Sequence, residues 1–159
     1  MRLAFLIVVA GLSTTIARAE SPKFHLPPQI VRAMKAPSSF TLLSIHPDPQ
    51  TAHWFNTKFH GFRVLGQICI ASPTERQQIT ETIKRVLRDY DRGDNKCIFS
   101  PRHGVHIISG GQTYDFLICF ECQEMEAYTG DQQIFHRYIR GDAGILTTLL
   151  RAAKIRIAD

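Results

Sequence analysis

Residues 101 to 122 read PRHGVHIISGGQTYDFLICFEC. Gly110-Gly111 is a two-residue turn signal between two runs rich in β-branched and aromatic residues, a strong local indication of a β-hairpin. A two-residue turn fixes the register. Ser109 then faces Gln112, His106 faces Asp115, and Arg102 faces Cys119. Side chains alternate between the two faces of a strand. Arg102, His106, Asp115 and Cys119 therefore share one face, and Cys97, His103 and Cys122 share the other. Pro101 cannot donate to the ladder, and a bulge there would shift the residues before Arg102 by one.

This placement sorts the chemistry of the stretch into three readings. The preferred one is structural: a disulfide or buried-thiol hairpin. Residues three apart in a strand lie about 10 Å apart at Cα, beyond the roughly 7 Å limit for a disulfide. Cys119 and Cys122 therefore bridge only if the chain bends, and Cys97 with Cys122, diagonal across the hairpin, is the disulfide candidate. The alternative is a Cys3His metal site from Cys97, His103, Cys119 and Cys122, donors suited to zinc or copper. The spacing C-x5-H-x15-C-x2-C is not that of a common zinc module. The third reading is a thiol-dependent enzyme, with Cys119 as nucleophile, His106 as base and Asp115 orienting it. The C-x-x-C follows an apolar strand and does not open a helix, so nothing local activates a thiolate. No cofactor is favoured, and no GxGxxG or GxxxxGK[ST] loop occurs.

The amino terminus supplies the preference for the structural reading. Arg2, an apolar run from Leu3 to Leu12 and Ala17-Arg18-Ala19 have the order of a signal peptide over residues 1–19. Four cysteines in an exported chain favour disulfides. No cysteine follows the expected cut and no later run spans a bilayer, so no membrane anchor is expected. Loss of Arg2 and Arg18 lowers the formal charge of +5 by two. The remaining charges are interspersed and not clustered on a basic face, which argues against nucleic acid as a partner.

Residues 20–39, with Pro22, Pro27, Pro28 and Pro37, read as an extended arm with a short helix around Ile30 to Lys35. A single domain then occupies 40–159. FTLLSI and FRVLGQICIA are strand patterns. Ser72-Pro73-Thr74-Glu75 is a capping box, and Ile79, Ile83, Val86, Leu87 and Tyr90 follow as one helical stripe with Gly93 as its stop. After the hairpin comes a strand over QEMEAYTG. A last helix follows, capped by Asp142, with Ile145, Leu146, Leu149, Leu150 and Ala153 inward. The order β-β-α-β-β-β-α predicts an α+β fold, an antiparallel sheet of about five strands with two main helices packed on one face.

His46, His53 and His60 fall seven apart, but Pro47 and Pro49 prevent one helix from aligning them; they read as solvated loop histidines. Trp54, Phe55, Phe59 and Phe62 make this region aromatic-rich, a patch for core closure or for a partner.

FHGFRVLG (59–66), CIFSPRHGVHI (97–107) and TYDFLICFEC (113–122) together resemble an uncharacterised family of small exported bacterial proteins with an FHGxxxLG … CFxPRHG … DxxICFxC pattern. The resemblance covers about residues 40–155 and picks out His60, Gly61, Gly66, Cys97, Pro101, Arg102, His103, Gly104, Asp115, Cys119 and Cys122. It departs at Ile98, where the pattern has its aromatic residue, and Cys69 lies outside it. It implies no activity. The functional expectation is a small exported binding protein of the cell envelope, periplasmic or secreted. It would be inhibitor- or immunity-like, a binding protein in preference to an enzyme, with Trp54, Phe55 and Phe59 contacting another envelope or secreted protein.

Overall fold

The computed structural model describes residues 24–50, 57–88 and 97–158. Ten elements follow in order: α1 (Pro28–Lys35), β1 (Ser39–Ile45), β2 (Lys58–Phe59), β3 (Phe62–Cys69), α2 (Pro73–Arg88), β4 (His103–Ser109), β5 (Gln112–Cys119), β6 (Glu124–Thr129), β7 (Gln132–Tyr138) and α3 (Gly144–Ala152). The strands form one antiparallel sheet in the order β2-β3-β1-β4-β5-β6-β7. The sheet is curled into a half-barrel. Two ladder irregularities, at Ser44/Ile45 and at Ala127/Tyr128, lie where such a sheet bends.

This corrects the expected architecture. Among the described residues seven strands replace about five, three helices replace two main ones, and the fold is mostly β. β7 was missed because QQIFHRY is half-exposed and lacks alternation, with no residue fully buried. β2 is two residues long, too short for any periodicity. α1 opens with Pro28 at its first position, where a missing N–H costs nothing. Its Ile30, Ala33 and Met34 are buried in the main core, so this part of the proline-rich segment packs into the domain.

Strand alternation divides the interior in two. On one face Phe40, Leu42, Val105, Ile107, Phe116, Ile118, Met125 and Ala127 meet the apolar stripes of all three helices. The α2 stripe is the one its sequence spells out, and Ser72 Oγ accepts the Glu75 N–H at 3.3 Å as the capping box requires. Tyr90 and Gly93 lie outside the described residues. On the other face a smaller cluster forms from Leu43, Ile45, Phe59 and Leu117, flanked by Phe62, Val64, Phe99 and Tyr128.

Two glycines allow close approach. A Cβ on Gly66 would sit 2.8 Å from Ile155 Cγ2, where the carboxy-terminal segment crosses the sheet. That segment is tied down by Ser44 Oγ, which donates to the Arg156 carbonyl at 2.7 Å. A Cβ on Gly104 would sit 2.7 Å from Ile45 Cδ1 and 3.0 Å from Phe59 Cε1, inside the smaller cluster. Gly104→Ala is therefore expected to destabilise the fold by about 1–3 kcal/mol through overpacking. Equilibrium urea denaturation checks it.

Candidate functional site

The β4–β5 register pairs His106 with Asp115, as the Gly110-Gly111 turn dictates. His106 Nδ1–H donates to Asp115 Oδ1 at 2.6 Å. A second imidazole completes the arrangement: His60 Nε2–H donates to Asp115 Oδ2 at 2.7 Å. His60 sits in the β2–β3 turn, where it and Gly61 both have positive φ (46° and 86°). Such hairpin turns favour Asn-Gly; the histidine here aims its ring three strands across, from the sheet edge to β5. The ring stacks on Tyr128 at 3.9 Å between centroids and 19° between planes. Tyr128 faces Asp115 across the β5–β6 ladder, and its hydroxyl donates to Glu126 Oε2 at 2.6 Å. Burial and the neighbouring Glu126 carboxylate both push the Tyr128 hydroxyl well above its usual range.

Asp115 is only 6% exposed. Burial pushes its pKa up, but the hydrogen bonds from His106 and His60 outweigh it and hold the carboxyl below its ordinary value. The bond to Asp115 in turn raises His106, against the opposing effect of burial.

At the other end of the β4–β5 hairpin lie Cys97, Cys119 and Cys122. Cys119 and Cys122 are each 1% exposed, whereas Cys97 is exposed on the segment before β4. The Cys122 N–H donates to Cys119 Sγ at 3.0 Å. The Cys122 and Cys97 thiols both donate to the Ile98 carbonyl, at 3.0 and 3.6 Å. A hydrogen bond with Cys122 raises the Cys97 thiol to about 11, and the nearby Glu121 and Glu124 carboxylates add to the shift. No disulfide links the four cysteines. Cys69 lies apart, exposed at the end of β3.

His103 belongs to neither group. It faces the helices, where its Nε2 meets Thr147 Oγ1 of α3 at 3.0 Å and its ring stands edge-on to Phe120. Burial and the adjacent Arg102 lower its pKa to about 4. The Cys97–His103–Cys119–Cys122 set is therefore not brought together, because strand parity sends residue 103 to the face opposite Cys119. Among the described residues, no three His, Cys, Asp or Glu side chains are already gathered as a metal site. The Cys119–His106–Asp115 set is also divided. His106 and Asp115 pair, but Cys119 lies four residues further along β5, about 13 Å at strand spacing, and its sulfur is engaged by the Cys122 amide.

His103 forms part of a cleft of about 360 Å³ between the hairpin and α3, lined also by Ser100, Arg102, Phe120, Thr147 and Arg151. Arg102 forms an ion pair with the exposed Glu121 at its rim.

Of the expected contact residues, Trp54 and Phe55 lie outside the described residues, as do His53 and the signal-peptide segment. Phe59 is an interior residue of the smaller cluster. His46 and Asp48 are occupied by local turns, accepting the backbone N–H groups of Asp48 and Gln50. The roles of Tyr128, Glu124, Thr147 and Arg151 carry no sequence signal of their own. The role of His60 shows only in the turn pair His-Gly.

No protein-family model, no curated protein and no solved structure matches the chain. No helix among the described residues is long and apolar enough to cross a membrane.

The paired shifts give a signed pH dependence. His106 has a raised folded pKa, so its contribution is complete below its unfolded value of 6.5 and is lost as pH rises through the folded value. Asp115 has a lowered folded pKa, so its contribution is complete above 3.8 and is lost as pH falls through the folded value. Asp115→Asn removes both charge-assisted bonds and should cost about 2–3 kcal/mol. The gap from the parent chain is expected to be widest between pH 3.8 and 6.5. Chemical denaturation at a series of pH values measures it; a gap that widens above pH 8 contradicts the assignment.

Proposed function

We propose that the chain is a small exported binding protein of the cell envelope, an inhibitor- or immunity-like module. Its partner would be another envelope or secreted protein, held by a carboxylate-bearing segment in the cleft between the β4–β5 hairpin and α3. Support for export comes from the order of Arg2, the Leu3–Leu12 run and Ala17-Arg18-Ala19.

The observation that carries the binding reading is the composition of the cleft. Arg102 and Arg151 stand over a floor that includes Phe120 and Ile157. His103 contributes no charge at neutral pH, because its pKa is lowered to about 4. Lys154 and Arg156 follow Arg151 in sequence and add positive charge to that part of the chain. A guanidinium pair above an apolar floor suits a carboxylate attached to an apolar group. Glu121, 67% exposed at its side chain, is the internal carboxylate that a ligand would displace from Arg102. Rim ion pairs contribute little each, so the apolar floor has to supply a share of the affinity.

The test titrates the isotope-labelled mature chain with an acetylated tetrapeptide ending in a free leucine carboxylate, and with its amidated counterpart. Saturable shifts at the Phe120, Thr147 and Arg151 amides are expected with the carboxylate form. Binding should weaken at least tenfold in Arg151→Glu, at an unchanged melting temperature. Equal response to both peptides, or none to either, overturns the reading.

A further inference from the structure

A basic groove runs between α1 and α2 and shares no residue with the cleft beside α3. Arg76, Thr80 and Lys84 are spaced by four along α2, so they stand one above another on a single stripe of the helix. Lys35, the last residue of α1, lines the same groove, whose volume is about 310 Å³. Met34 and Pro73 supply its apolar lining, and Gln77 and Glu81 complete it. Three cations therefore stand against one carboxylate. Glu81 pairs with Lys84 at 2.9 Å, with its side chain 56% exposed. An exposed ion pair of this kind contributes little.

Thr80 is a second observation, independent of the charges. The residue is 6% exposed. Among the described residues, its Oγ1 is the one buried side-chain oxygen or nitrogen without a hydrogen-bond partner. A helical threonine commonly donates to the carbonyl one turn back; this one does not. A buried hydroxyl left unpaired is costly. Rotation about χ1 presents this donor to the groove that Thr80 lines.

We propose that the groove binds a small phosphate monoester, with its phosphate over Thr80 and its organic group against Met34 and Pro73. A phosphate monoester carries about two negative charges and three terminal acceptor oxygens. One oxygen accepts from the Thr80 hydroxyl. Arg76 and Lys84 start one turn to either side, about 6 Å along the helix axis, and reach the phosphate with their long stems. Lys35 closes on it from α1. A carboxylate offers one charge and two oxygens, too few for this set of donors. Binding takes Lys84 from Glu81 and gives the orphaned hydroxyl a partner; no covalent bond is made or broken. The volume lies at the small end of ligand pockets, which fits a small ester.

The test titrates the isotope-labelled mature chain with phenyl phosphate and, separately, with benzoate. Saturable shifts at the Arg76, Thr80 and Lys84 amides are expected with phenyl phosphate, at an affinity about tenfold above that for benzoate. Thr80→Val keeps the side-chain shape and removes the unpaired hydroxyl. It should melt no lower than the parent chain without ligand, and bind phenyl phosphate about fivefold more weakly. Arg76→Gln should weaken binding about tenfold, and Glu81→Gln should tighten it. Arg151→Glu, which disables the peptide cleft, should bind phenyl phosphate as the parent does, so either proposal can fail alone. Vesicles containing phosphatidic acid test a lipid headgroup as the source of the phosphate. Sedimentation with those vesicles without binding of phenyl phosphate overturns the assignment to a small ester. Equal response to phenyl phosphate and benzoate, shifts confined to Phe120, Thr147 and Arg151, or a Thr80→Val chain that binds as tightly as the parent also overturns it.

Discussion

The buried carboxylate of Asp115 ties the edge of this curled sheet to its centre. Asp115 lies near the middle of the seven strands and accepts one imidazole from its neighbour β4 and a second from the β2–β3 turn at the sheet edge. A buried, unpaired carboxylate is costly, and two charge-assisted hydrogen bonds remove that cost only while the edge hairpin stays folded over the face. Phe59, next to His60, is then carried onto Leu43, Ile45 and Leu117. Gly104 leaves the space into which Phe59 packs. The smaller core and the ionic bridge therefore support each other: the apolar contacts exclude water from the carboxylate, and the carboxylate sets the angle of the hairpin.

Residues 97–102 and 119–122 carry Cys97, Cys119 and Cys122 and build one wall of the cleft. Phe120 and His103 turn toward α3, and none of the cysteines lines the cleft. Arg151 of α3 lines the same cleft, and the chain beyond it is tied to β1 by the Ser44–Arg156 hydrogen bond.

Much of the local order was legible. The Gly110-Gly111 turn gave the β4–β5 register residue by residue, including His106 opposite Asp115. The Ser72–Glu75 capping box and its apolar stripe described α2. Both signals are local, because turn chemistry and helical periodicity act over a few residues. The strand count was not legible. β7 has no buried residue to create alternation, and β2 exists only because β3 pairs with it. The expected Cys3His set is not assembled among the described residues, because residue parity carries His103 to the helix side, away from Cys119.

By itself the sequence determined where the chain turns, which helix stripe goes inward, and which residues face each other across one hairpin. Nearest-neighbour geometry is sufficient for each of these. Only the tertiary structure decided that His60 reaches Asp115 and that α3 closes a cleft over His103. His60 and Asp115 are 55 residues apart in the chain and His103 and Thr147 are 44 apart, so each pairing depends on how a seven-stranded sheet curls. Curl is a property of the whole packed sheet, to which its bulges, its close-approach glycines and the buried Asp115 all contribute.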